Sequence, residues 1–415
     1  MNKHIQEKQY IYLIMELTLK EAKPLLKYII TNNQTLQAKG EVPIAVSLCG
    51  LAGLGKSLMI KQLADELGFN YVKLSLAMIS EMGDLAGYPI QEHYVCKDDD
   101  CQWITSKLIK SYAEAGYDIT SETRMSYALP EWYKSIDPSK GTILLLDDFS
   151  RALPAVMQSV MELVYQQEFW SFKLPANTHI ILTENPDSGD FQVNGMDEAQ
   201  KSRYITFNVK FDISSWMSWA EEQGMDGRAI NFLGLYYTEL MDRKNTHEQK
   251  INARTYTMFA NIISGIEDWE DANNLGTIMK ISSGCFNDSD DIVGSLFARF
   301  IANKLDRLIS PEDMLMQSWD TVKAKMENCV YTNGAYRPEI ASILTTRLLN
   351  YSLLYLSQKG AKFDVVEQRI LDIVDYDKTL FTEDLLFVLV KNLVNKYTAK
   401  MRKLMLNPKI RNKVI

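Results

Sequence analysis

An octapeptide, Gly50-Leu51-Ala52-Gly53-Leu54-Gly55-Lys56-Ser57, follows directly on the apolar run Val42 to Cys49 and opens the helical pattern LMIKQLADELG. Strand, glycine-rich loop and helix in that order leave few architectures open. The glycines let backbone N–H groups curl round an anion, and the helix N-terminus adds partial positive charge. The spacing is that of a phosphate-binding P-loop: backbone from Gly50 through Leu58 cradles the phosphates, Lys56 reaches the β and γ phosphates, and Ser57 ligates magnesium. The helix is expected to stop at Gly68.

Further strands are expected at Tyr71 to Leu76, Ile143 to Leu146, His179 to Thr183 and Ile205 to Phe211, each separated from the next by a helical or long crossover segment. Such alternation predicts an α/β core with a mainly parallel sheet flanked by helices. TILLLDD is nearly continuous in apolar residues, as a strand buried on both faces requires, and it ends in Asp147 and Asp148. Carboxylates at the carboxyl edge of a parallel sheet stand where ligands of such folds bind. Asp147 is read as the metal-holding acid, and Asp148 as the group that orients or deprotonates an attacking water.

From about Ile213 the pattern becomes helical throughout. The expected division is an N-terminal helical segment (1–40, with helix over 10–37), the nucleotide-binding core (41–212), a helical lid (213–315) and a C-terminal helical extension (316–415). At 415 residues, with 45 Lys plus Arg against 53 Asp plus Glu, the chain carries −8, which argues against a general nucleic-acid coat. Positions 391–415 reverse that balance with eight basic and no acidic residues, leaving −16 on the rest. This tail is a candidate contact for nucleic acid or an acidic partner, and equally a solvated helix end. The apolar residues near the N-terminus are too interrupted for a signal peptide, and no run approaches a membrane span, so a cytoplasmic protein is expected.

The five cysteines are an odd number scattered along the chain, which suits unpaired thiols in a reducing compartment better than a disulfide framework. His93, Cys96 and Cys101 in HYVCKDDDCQWI offer possible zinc ligands without the spacing of a known finger. A hairpin over 91–105, bringing the two cysteines together without a metal, is the favoured reading. With Tyr94 and Trp103 it either contacts a substrate or packs on its own subunit.

From the P-loop to Phe211 the motif order and local wording resemble the AAA+ ATPases, and within them the MoxR-like branch. LLLDDFSRALPAVMQSVMELV resembles the Walker B strand and following helix, and ILTENPDSG the sensor 1 strand, with Asn185 as the polar sensor. DEAQKSRY resembles the segment carrying the arginine finger, which maps to Arg203. NARTYTMFANIIS is similar to the sensor 2 segment, mapping to Arg254 without the proline that usually precedes it, and SEMGDLAGYP resembles a stretch common after the second strand. The resemblance implies ATP and Mg2+ as cofactors, a homo-oligomeric ring, usually a hexamer, and a chaperone-like role that remodels or activates a protein partner. Partners of that branch often carry a von Willebrand A-type metal site built on DxSxS; no such motif occurs here, so that partner is a separate chain. Asp148 stands where the branch more often has Glu, which predicts slow turnover. Two alternatives follow: a nucleic-acid motor or loader using the basic tail, and a nucleotide-gated scaffold with weak hydrolysis.

Overall fold

The computed structural model describes residues 16–186, 198–241, 252–286, 292–398, 400–408 and 410–411. The chain divides into two compact units, Met1–Phe211 and Asp212–Ile415.

The first unit opens with β1 (Glu16–Thr18), α1 (Leu19–Ala38), β2 (Ala45–Cys49), α2 (Lys56–Leu67) and β3 (Asn70–Ser75). An insertion follows: α3 (Met82–Ala86), β4 (Tyr88–Lys97), β5 (Asp100–Thr105), α4 (Ile109–Glu114), β6 (Asp118–Ala128) and α5 (Glu131–Lys134). The core resumes with β7 (Thr142–Asp147), α6 (Pro154–Gln166), the short pair β8 (Glu168–Phe169) and β9 (Phe172–Lys173), β10 (Thr178–Glu184), α7 (Glu198–Lys201) and β11 (Tyr204–Lys210). Six strands form one sheet in the order β1-β11-β2-β10-β7-β3, every neighbouring pair parallel. This is the doubly covered α/β core expected from the sequence.

Alternation sorts the central strands between two faces. Ile143 and Leu145 join Val46, Leu48 and Ile181 against α1 and α2, while Leu144 and Leu146 join Ile180 and Leu182 against α6. Both faces are buried, which is why these strands lack polar alternation. The five expected strands all form. β2 begins at Ala45 rather than Val42 because Pro43 has no N–H to give a ladder. Gly68, at φ 66°, ends α2 as the sequence predicts.

Two expectations are corrected. The first helix starts at Leu19, because Thr18 and Glu21 form a capping box, and Glu16–Thr18 is instead a strand paired with β11. The start of that predicted helix, 10–15, lies outside the described residues. The cysteines are not all free: Cys96 and Cys101 form a disulfide, while Cys49, Cys285 and Cys329 are unpaired thiols. The cause is register. Cys96 and Cys101 stand directly opposite each other across the β4–β5 hairpin, whose tip residue Asp98 takes the left-handed conformation at φ 53°. The hairpin reading therefore holds, and sulfurs joined to each other are not zinc ligands.

Among the described residues the second unit is helical apart from one two-stranded hairpin: α8 (Ile213–Glu222), α9 (Gly227–Met241), α10 (Ala253–Ile263), α11 (Ala272–Phe286), α12 (Ile292–Ala302), α13 (Pro311–Met316), α14 (Trp319–Val330), α15 (Pro338–Ser357), α16 (Phe363–Asp375), α17 (Glu383–Tyr397) and α18 (Arg402–Leu406). Phe232, Tyr256, Phe259 and Phe297 are fully buried and pack on one another, Phe232 and Tyr256 stacked and the other pairs edge-on or tilted. Trp216 and Tyr236 are buried too, whereas Trp219 is half-buried and Tyr237 exposed. Arg347 of α15 runs under α8 and α9, bonding Glu221 at 2.5 Å and Asn231 at 3.0 Å. Among the described residues no helix is long and apolar enough to cross a membrane.

Candidate functional site

The loop after β2 takes a form only its glycines permit. Gly53 and Gly55 have φ of 81° and 95°, the left-handed region in which a side chain is strained. A β-carbon on Gly50 would lie 2.4 Å from the Val209 carbonyl oxygen, so the loop leaves β2 pressed against β11. Gly55 caps α2, whose first intrahelical bond runs from Met59 N–H to the Gly55 carbonyl. The amides of Lys56, Ser57 and Leu58 precede that bond and sit at the positive end of a 12-residue helix. Lys56 is buried and folds its ammonium over the loop, donating to the Gly50 and Leu51 carbonyls at 2.5 and 3.0 Å.

Strand order then decides what faces this loop. β10 lies between β2 and β7, so the carboxyl ends of the three strands bring the loop, Thr183 to Asn185 and the two acids side by side. Asp147 Oδ1 accepts from Ser57 Oγ at 2.7 Å and from Thr183 Oγ1 at 2.5 Å, and Oδ2 pairs with Lys73 Nζ at 2.5 Å. Burial raises the Asp147 carboxyl, but donation from Lys73, Thr183 and Ser57 outweighs it and holds the group below the ordinary carboxylate range. It is an anion there.

Asp148 sits at φ 55°, ψ 40°, a left-handed conformation that Asp and Asn tolerate better than other side chains. Its amide donates to Thr183 Oγ1 at 3.0 Å, and its carboxylate lies 3.5 Å from Asn185 Nδ2. The Asn185 backbone N–H donates to Ser150 Oγ at 3.1 Å. Glu184 points to the other side of β10, donated to by Ser47 Oγ at 2.5 Å, while its carbonyl accepts from Gly50 N–H. Burial pushes its carboxyl up, against hydrogen bonds from Ser47 and Tyr204.

Ser57, Asp147, Asp148 and Asn185, named from the sequence, thus meet at one edge of the sheet. Arg203 does not join them. It precedes β11, whose first residue Tyr204 pairs with Ala45 at the start of β2, whereas the loop leaves β2 after Cys49. Four residues of strand separate those levels, roughly 13 Å. Arg203 is exposed, its guanidinium 5.9 Å from the Tyr165 ring centre. Arg254, also exposed, is the second residue of α10 in the other unit. The 187–189 end of the sensor-like stretch and Asp197 before Arg203 lie outside the described residues.

Lys73, Thr183 and Glu184 were not singled out from the sequence. Thr183 and Glu184 adjoin Asn185 and a finer reading of that strand end would have reached them; Lys73 carries no local signal.

The residues fit a nucleoside triphosphate and a magnesium ion on two observations. The left-handed glycines and helix start form an anion cradle, and Ser57 and Asp147 supply the hard oxygen donors that magnesium takes.

No family model matches the chain, and no curated protein does either. Solved structures do: the chain is similar to the RuvB Holliday junction branch migration motor of Thermotoga maritima at 14% identity, with 96% of this chain and 87% of that one covered and a TM-score of 0.27. It is also similar to a Cytophaga hutchinsonii protein provisionally described as an ATPase, at 12% identity, with 84% and 78% covered and a TM-score of 0.29. Scores this low fall short of a shared overall arrangement. The fold assignment rests on this chain's own sheet and loop.

Proposed function

We propose that the chain is an ATP-hydrolysing subunit of AAA+, MoxR-like type, working in a homo-oligomeric ring to remodel or activate a protein partner. The observation that carries the reading is the meeting of Ser57 and Asp147 beneath the glycine loop, with Asp148 and Asn185 beside them. In this reading Lys56 neutralises the β and γ phosphates, and the loop amides from Gly50 to Leu58 hold them. Ser57 and Asp147 hold magnesium, which when bound supplies charge neutralisation at the phosphates. Asp148 accepts the proton of the attacking water, and Asn185 keeps that carboxylate aimed. Residues 213–315 serve as lid, with Arg254 as the lid's contribution to the phosphates, and 316–415 as extension.

Arg203 is assigned to the neighbouring subunit's nucleotide. Its place at the sheet edge away from its own loop supports that, since an arginine acting in cis would have to cross the length of β2. The test is ATP turnover and nucleotide binding in the parent and in Lys56→Ala. Parent hydrolysis abolished by the substitution supports the reading; equal phosphate release by both overturns it.

A nucleic-acid motor is the second reading, favoured by Lys391, Lys396 and Lys400, which are exposed and, among the described residues, have aromatic rings rather than carboxylates as neighbours. Deleting 391–415 would not test it, because Leu393, Met401, Leu404 and Ile410 of that stretch are buried. Reversing the three lysines to Glu would: loss of salt-sensitive binding to DNA or RNA favours the motor, and no binding by the parent removes it.

A further inference from the structure

Asp147 receives three donors from three different elements, and they are not equivalent. Ser57 comes from α2 and Thr183 from β10, both neutral hydroxyls on Oδ1. The third is a full positive charge. Lys73 comes from β3, at the far edge of the sheet, and lies 2.5 Å from Oδ2. β3 runs parallel to β7 with Lys73 beside Leu145 and Ser75 beside Asp147, so the lysine reaches two residues forward along the ladder to meet the carboxylate. Its side chain is 41% exposed and that of Asp147 11%, so water approaches the ammonium but little of the acid.

We propose that Lys73 is a positioning residue that competes with magnesium for Asp147 and thereby sets the cation concentration at which the nucleotide site loads. The inference rests on the reading of Ser57 and Asp147 as the magnesium-holding pair. An ammonium at Oδ2 repels a divalent ion brought to the same carboxylate, and with most of the acid screened from water that repulsion is only partly damped. Loading therefore requires Lys73 to swing towards solvent, which its exposed, flexible stem permits. Lys73→Arg keeps the charge, and Lys73→Met removes it on a stem of similar length.

The experiment uses the full chain and a fluorescent ADP analogue, titrating magnesium chloride from an EDTA-buffered zero and reading bound analogue, with no turnover. Lys73→Met is expected to lower the half-saturating magnesium by about tenfold, and Lys73→Arg to stay within about twofold of the parent. A Lys73→Met midpoint equal to or above the parent's overturns the proposal, even if that variant melts at a lower temperature, since a merely structural lysine would move the melt alone. No binding of the analogue by the parent at any magnesium concentration would instead overturn the nucleotide reading itself, and this proposal with it. Binding with an unmoved midpoint overturns the Lys73 assignment only.

Discussion

Asp148 shows why a conservative exchange at this site is not one. Its left-handed backbone suits Asp or Asn, and a longer side chain there costs about 1–2 kcal/mol. Asp148→Glu, which would restore the acid more common in the resembled branch, is therefore expected to lower stability by about 1 kcal/mol in urea unfolding, whatever it does to turnover. Asp148→Asn keeps the conformation and removes the base; it is expected to leave the unfolding midpoint unchanged while turnover falls by about 10²-fold or more, and retained turnover would remove the base assignment. His179 gives a pH signature. Burial lowers its pKa from 6.5 to about 4, and its ring stacks on Phe69. The unfolded chain takes up a proton below about pH 6.5 whereas the folded one resists until about 4, so stability is whole above that window and falls through it, by up to ~3 kcal/mol. Asp147 acts separately: its depressed carboxyl adds stability that is lost only below the ordinary carboxylate range. Unfolding of His179→Phe from pH 7 to 5 should be flatter than the parent's, and parallel curves would contradict the burial argument. Of these candidate site residues Asp147, Asp148 and Asn185 were legible because each sits at or just past a strand end that the apolar pattern marks, and Ser57 because the glycine loop that follows β2 fixes its place at the start of α2. Lys73 was not, because nothing within β3 says which strand lies beside it.

Among the elements, the central strands were legible for the same reason that makes them central: burial on both faces writes a continuous apolar run. β1 was missed because three residues are too few to show a period; its presence shows only in the parallel pairing with β11. The disulfide was missed because cysteine count says nothing of register, whereas a turn between Lys97 and Asp100 puts Cys96 opposite Cys101. In the helical unit the informative contact is a buried ion pair that no local pattern announces. Arg347 and Glu221 expose 5% and 9% of their side chains, and a β-carbon on Gly227 would meet the guanidinium at 2.8 Å. Arg347→Ala leaves Glu221 buried and unpaired, a loss of about 3–5 kcal/mol, while Arg347→Met with Glu221→Leu should recover most of it. Urea unfolding followed by tryptophan fluorescence checks this; a single variant as stable as the parent would show that water reaches the pair.

At the scale of the whole molecule, Arg203 stands at the other end of β2 from the loop it would serve. A guanidinium that stabilises charge on the departing phosphoryl group is worth up to ~10³- to 10⁵-fold in rate, so Arg203→Ala should bind nucleotide as the parent does and hydrolyse it at least ~10³-fold more slowly. Mixing that variant with Lys56→Ala, in which loop and arginine are lost on different chains, should restore part of the turnover if each site draws on two subunits. The most direct test is turnover per chain measured across protein concentration beside the sedimentation state of the same samples. The account predicts that turnover rises steeply as monomers assemble and is nearly absent in dilution. Full turnover in demonstrably monomeric material would contradict it.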